Sequence, residues 1–129
     1  SERKNYMNNR KLDESDILLD NIIKGIQDVK GKDITILDLR KIETSVCKHF
    51  VICSGSSNTQ VSSISDSIRK LVSKDTGEKP WNTEGLNTSD WILIDYSDIV
   101  VHVFQQKVRD FYNLEDLWGD ADIRKIENL

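Results

Sequence analysis

A chain of 129 residues has room for one domain around one core and is too short for two ordinary ones. Hydrophobic residues at 37% and charged residues at 31% describe a globular chain and exclude the disordered and fibrous classes. A net charge of -4 argues against broad contact with nucleic-acid phosphate, and runs such as Ile17-Leu18-Leu19 fall far short of the roughly 20 apolar residues of a membrane helix.

Residues 1–12 carry Arg3, Lys4, Arg10 and Lys11 against Glu2 alone and read as a disordered N-terminal arm or an expression remnant. The folded unit is expected over 13–129. Leu18, Ile22, Ile26 and Val29 recur at helical spacing, which predicts a helix over 15–30 with Asp13 or Ser15 as N-cap and Gly31 at C′. The β-branched stretch 33–39 predicts a strand, and Val46 to Cys53 a second. Cys47 and Cys53 then stand too far apart along one strand, about 20 Å, for a disulfide, and both are expected as buried thiols. With two histidines and no paired-cysteine spacing, no zinc site is expected.

Ser54-Gly55-Ser56-Ser57-Asn58 forms a loop into a helix whose apolar face is Val61, Ile64, Ile68, Leu71 and Val72, closed by Gly77. A helix N-terminus after a serine-rich run can hold a phosphate, but the spacing of a nucleotide loop is missing and a structural loop is favoured. Residues 91–96 and 99–104 read as a hairpin turning at Ser97-Asp98, preceded by a short strand near Trp81. Alternation puts Ile92, Ile94, Ile99, Val101 and Val103 toward the core, with Tyr96 at the edge. The opposite face carries Trp91, Leu93, Asp95, Val100, His102 and Phe104; it is either a partner surface or the underside of a further helix. A last amphipathic segment carries Val108, Phe111, Tyr112, Leu114, Leu117 and Trp118. The order α-β-β-α-β-β-α makes a single-domain α/β fold, a mixed sheet with flanking helices.

Two-metal nucleotidyl transfer needs acids converging within a few ångströms, and Asp95 and Asp98 flank a turn instead of sharing a strand face. Neither His49 nor His102 has a neighbouring nucleophile in the sequence, so both are read as packed residues. Asp110, Glu115, Asp116, Asp120 and Asp122 make either a solvated helix face or an acidic rim toward a basic partner.

Phe50 to Ser57 with Gln60-Val61, then Glu84-Gly85, Trp91 to Tyr96 and Val100 to Phe104, and finally Arg109, Phe111-Tyr112, Leu114-Glu115 and Leu117 to Ala121 resemble, in order, the motifs of the bacterial ribosomal silencing factor (Iojap) family. The resemblance spans roughly residues 17–121. It implies a nucleotidyltransferase-like fold without the transferase's catalytic acids, no enzyme activity and no cofactor; a cytoplasmic protein is expected from the short apolar runs and the absence of a signal-peptide pattern. It further implies a translational repressor that binds the fourteenth protein of the large ribosomal subunit and blocks subunit joining, dimeric when free and with little direct nucleic-acid contact. A magnesium-dependent nucleotidyltransferase and a large-subunit assembly factor are the alternatives. By position the resemblance assigns partner contacts to Trp91, Asp95, Tyr96 and Asp98, the aromatics as apolar anchors and the aspartates as partners for Lys or Arg. Two departures stand out: Lys48-His49 before Phe50, and Ser97 where the family's hairpin has glycine, which makes a turn with φ > 0 less comfortable.

Overall fold

The computed structural model describes residues 14–129; the N-terminal arm and the cap candidate Asp13 lie outside the described residues. Helix α1 (Glu14–Asp28) buries Leu18, Ile22 and Ile26, the stripe expected from their spacing. Ser15 lies inside its first turn and is buried, so it does not cap from outside. At the other end the left-handed residue is Lys30 (φ 60°), not Gly31. The Lys30 N–H donates to Gln27 O (3.0 Å) and the Gly31 N–H to Ile26 O (2.9 Å), which puts Gly31 at C″. Gly31 is required for space instead, because a Cβ there would lie 2.4 Å from Ile26 Cγ2.

Strand β1 (Lys32–Asp38) pairs antiparallel with β2 (His49–Gly55). The expected start of β2 at Val46 is corrected: Val46 is 99% exposed and belongs to the connection. The ladder begins at His49 because the Asp98 carbonyl accepts both the Lys48 N–H (2.7 Å) and the His49 N–H (3.1 Å). Cys47 is therefore a half-buried residue of the connection, whereas Cys53 is buried in β2, where desolvation pushes its thiol up to about 12. Both are free thiols.

Helix α2 (Asn58–Thr76) is capped by Ser57, whose Oγ accepts the Gln60 N–H at 3.1 Å, and closed by Gly77 at φ 75°. Gln60 Oε1 accepts the Ser56 N–H (2.7 Å), and its Nε2 donates to Lys30 O (3.2 Å), joining the start of α2 to the end of α1. The serine-rich loop thus has a structural account, its helix terminus engaged by its own side chains.

Strands β3 (Asn82–Glu84), β4 (Trp91–Asp95) and β5 (Ile99–Gln105) follow, then short helices α3 (Gln106–Tyr112) and α4 (Leu114–Leu117) and a strand β6 (Asp122–Lys125). The sheet order is β3-β4-β5-β2-β1-β6, with β2 and β5 parallel and every other pair antiparallel. This is the mixed sheet expected, extended by β6. All four β6 residues are exposed, so no alternation announces that strand; it is held by its ladder to β1, with Leu37 opposite Ile123. Among the described residues no helix is long and apolar enough to cross a membrane.

The two sheet faces are covered unequally. Helices α1 and α2 seal one face over Ile34, Ile36, Val51, Val101 and Val103. On the other face Leu37, Leu39, Ile52 and Phe104 form a smaller core, against which Val108, Leu114 and Trp118 of the C-terminal segment pack. Phe111 and Leu117 stay 81% and 72% exposed, so the last segment is not uniformly buried.

Arg109 locks that segment to the sheet. It is buried at 7% exposure and donates to Asp33 O (2.6 Å), Ser54 Oγ (2.9 Å), Thr35 Oγ1 (3.0 Å) and Glu115 Oε2 (3.0 Å). A planar guanidinium can serve four acceptors at once, which a lysine ammonium cannot. Arg109→Met should therefore cost about 3–5 kcal/mol, because it leaves Glu115 and the strand acceptors unpaired. Urea unfolding followed by tryptophan emission measures this; Arg109→Lys should recover only part of it, and full recovery would show that charge alone suffices.

Candidate functional site

The hairpin adopts the expected register, with Asp95 opposite Val100, Leu93 opposite His102 and Trp91 opposite Phe104. The parallel pairing carries these rows on into β2, where Phe50 faces Val100 and Ile52 faces His102. The second face therefore presents half-buried Leu93, Val100 and Phe50 in the middle of the sheet. Trp91 stacks on Phe104 (4.7 Å) and meets Tyr112 (4.9 Å), which in turn meets Phe111 edge-on (5.1 Å). The result is a part-open aromatic surface, covered by the C-terminal segment at one end only. The expected covering of this face by a further helix is met at that end, and the rest of the face is partly exposed.

The four expected contact residues separate into three kinds. Trp91 is half-buried and lies on the second face, its Nε1 donating to His102 Nδ1 at 3.1 Å. Asp95 is half-buried, and its Oδ1 accepts the Ser97 N–H at 2.8 Å. Asp98 is exposed beyond the turn, with its carboxylate 3.8 Å from Lys48 Nζ. Tyr96 corrects the expectation of an exposed anchor. It is 4% exposed and part of the helix-covered core, because its position in the pleat points it away from Asp95. Its hydroxyl has no hydrogen-bond partner among the described residues, and desolvation pushes its pKa up to about 12. What Tyr96 contributes locally is the hairpin end, its N–H donating to Ile99 O at 2.9 Å.

The two aspartates are held by different neighbours, one by a turn N–H and one by a lysine. In the acidic C-terminal cluster Glu115 pairs with Arg109, Asp116 accepts from Asn113 Nδ2 (2.6 Å), Asp110 from Gln106 Nε2 (3.0 Å), Asp122 lies 3.6 Å from Lys41 Nζ, and Asp120 is exposed.

His102 was visible in the sequence, but its bond to Trp91 was not, because the pair is joined diagonally across the ladder. In a neutral ring that accepts at Nδ1, the proton is on Nε2. That nitrogen is buried without a hydrogen-bond partner among the described residues, and the ring stands at 77° to Phe50 with centroids 4.8 Å apart. Burial pushes the imidazole down to about 4. His49 is also lowered, first by burial, with Asp38 opposing. The Arg40 guanidinium in turn holds Asp38 down at about 2.

Two expectations follow from this geometry. Ser97 adopts φ 76°, with the Asp98 N–H donating to Tyr96 O (3.0 Å) across it, a tight-turn conformation that favours glycine. The left-handed region costs an L-residue about 1–2 kcal/mol, and glycine gives back about 0.5–1 through its flexible unfolded chain. Ser97→Gly should raise stability by about 0.5–1 kcal/mol in urea unfolding, and a loss would show that the serine itself is favoured there. For His102, the folded pKa lies below the unfolded value of 6.5, so between those values the unfolded chain holds the extra proton. Its contribution is complete above pH 6.5 and declines as pH falls toward 4. It should amount to roughly 2 kcal/mol between pH 7 and 5. Urea midpoints at the two pH values should show that decline in the parent and a clearly smaller one in His102→Gln; equal declines would place the titration elsewhere.

Comparison with known proteins agrees with the motif order. The family model described as ribosomal silencing factor during starvation matches residues 12–129. A protein from Chromobacterium violaceum named ribosomal silencing factor RsfS is 39% identical over 97 residues, covering 75% of this chain and 78% of its own. A protein of the same name from Halalkalibacterium halodurans is 36% identical over 112 residues, covering 87% of this chain and 94% of its own. A crystal structure of a Chromobacterium violaceum protein superposes with a TM-score of 0.77 at 36% identity, covering 83% of this chain and 88% of that one. With the match spanning all the described elements, this chain belongs to the ribosomal silencing factor family.

Proposed function

We propose that the chain represses translation by binding a protein of the large ribosomal subunit at its intersubunit face, the fourteenth in the family's scheme, and sterically blocking the small subunit. The observation that supports this reading most directly is the second sheet face, where Leu93, Val100, Phe50 and Trp91 leave apolar surface only partly covered. Asp95 and Asp98 stand at the hairpin end of that surface, and Asp110 and Asp120 toward the C-terminus. An apolar centre bounded by acids suits a basic protein partner, because aromatic anchors carry affinity and complementary charge steers approach. Trp91 acts as the anchor, held in orientation by His102. Asp95 and Asp98 meet Lys or Arg of the partner, and Tyr96 supports them from beneath. Occlusion requires no turnover and no cofactor. A homodimer of the free protein, in the manner the family resemblance implies, is part of the same reading.

Co-sedimentation with isolated large and small subunits, scored together with subunit joining, tests it. The parent protein should pellet with the large subunit alone and reduce joining. Trp91→Ala should weaken the complex by about 2 kcal/mol or more, and Asp98→Lys should slow association most at low salt. Tyr96→Phe should bind as the parent does, because the hydroxyl points into the core. No pelleting with either subunit would remove the occlusion reading. Binding unaffected by Trp91→Ala and Asp98→Lys, with folding intact, would place the interface elsewhere.

A further inference from the structure

The helix-covered side of the molecule carries a feature that silencing through the opposite sheet face leaves unused. Along the solvent side of α2 runs a shallow groove lined by Arg69, Lys70, Lys74 and Lys79, with Asp66 as its one carboxylate. Residues 66, 70 and 74 succeed one another at four-residue steps, and 69 and 73 at another, so the helix itself assembles the row. Asp66 pairs with Arg69 (2.5 Å), and Lys70, Lys74 and Lys79 remain exposed. The acids next in sequence, Asp75 and Glu78, line a neighbouring recess with Glu14. A chain with a net charge of -4 therefore holds a local excess of positive charge along this groove, three of its cations on α2 and Lys79 just beyond the helix end.

An exposed aromatic follows this row in the chain. Trp81 is 82% exposed, and its N–H is tied to Asp95 O at 2.7 Å, so the backbone is fixed while the indole is left in solvent. It stands two residues beyond Lys79, a reach of roughly 7 Å in extended chain, comparable to one nucleotide. Lysines that track phosphates beside an exposed ring on which a base can stack are the two parts of a single-strand binding surface. An acidic peptide would satisfy the cations but leave the ring unused.

We propose that the α2 groove and Trp81 bind single-stranded RNA, independently of how the second sheet face is used. The overall acidity that argued against nucleic-acid contact is a property of the whole chain, and the groove is a local exception to it.

The test is fluorescence anisotropy with a labelled oligouridylate of about a dozen nucleotides, a length within single-strand site sizes, titrated at several salt concentrations. The full chain should bind at low salt. Each neutralised phosphate contributes about -0.7 to the slope of log affinity against log salt, so four cations predict a slope of about -2 to -3. Lys70→Gln with Lys74→Gln should lower affinity about tenfold or more and flatten the slope by about 1.4. Trp81→Ala should lower it about fivefold or more at unchanged slope, and binding to duplex RNA of equal length should not respond to that change. All three positions are exposed, and unchanged thermal transitions confirm that the variants fold. Absence of binding at low salt, or binding indifferent to the lysine pair, would overturn the proposal. Loss with the lysines but not with Trp81→Ala would overturn the single-strand reading, and so would equal affinity for a polyglutamate peptide.

Discussion

A six-stranded sheet has two faces to cover, and here only one receives full-length helices. The other depends on a short C-terminal segment whose longest helix, α3, has seven residues, too few to hold itself in place by helix propensity. The buried Arg109 guanidinium supplies the missing constraint. It reaches across to Thr35 and Asp33, 74 and 76 residues away in sequence, and closes on Glu115 six residues ahead. Those bonds fix α3 and α4 over β1 and β2, which in turn seats Trp118 against Phe50. The covered end of the second face is thus held by one guanidinium bonded to Thr35 and Ser54 of that face, together with the apolar contacts of Val108, Leu114 and Trp118.

The motifs quoted for the family acquire different physical meanings once the chain is folded. Ser57 and Gln60 end up as cap and tie for a helix terminus, not as ligands for a phosphate. Gly85 lies at φ 88°, and a Cβ on it would fall 2.0 Å from the Trp91 carbonyl, so the Glu84-Gly85 pair marks a backbone crossing that only glycine permits. Trp91 and His102 are both members of one block, and they hydrogen-bond to each other inside it. Much of the signature therefore encodes the scaffold that presents a surface, and a smaller share is the surface itself.

The parts legible in the sequence were those governed by local periodicity. The α1 stripe, the α2 face and the hairpin register follow from spacings of four and two residues and need no long-range information. The start of β2 did not follow, because a carbonyl from residue 98 sets where pairing begins. Strand β6 was missed because four exposed residues carry no alternation and only the β1 edge orders them. Of the four residues assigned by position, Trp91 and Asp95 lie on the second face and Asp98 beside it, while Tyr96 lies in the core, where its alternation put it. Positional resemblance and strand pleat disagreed there, and the pleat decided.

The end of the hairpin shows how a strained turn and an acidic edge can share residues. Ser97 holds a positive φ without being glycine, and Asp95 Oδ1 accepts its N–H, offsetting part of that strain. The backbone carbonyl of Asp98 is committed to the first two N–H groups of the β2 ladder, and Tyr96 anchors the strand end in the core. The backbone from 95 to 98 is thereby restrained, while the exposed Asp98 carboxylate lies 3.8 Å from the partly exposed Lys48. A surface built this way loses little backbone freedom on meeting a partner, because the ordering has already been done by folding. That preorganisation distinguishes the hairpin end from an ordinary acidic loop, and it rests on the same core contact that withdrew Tyr96 from the surface.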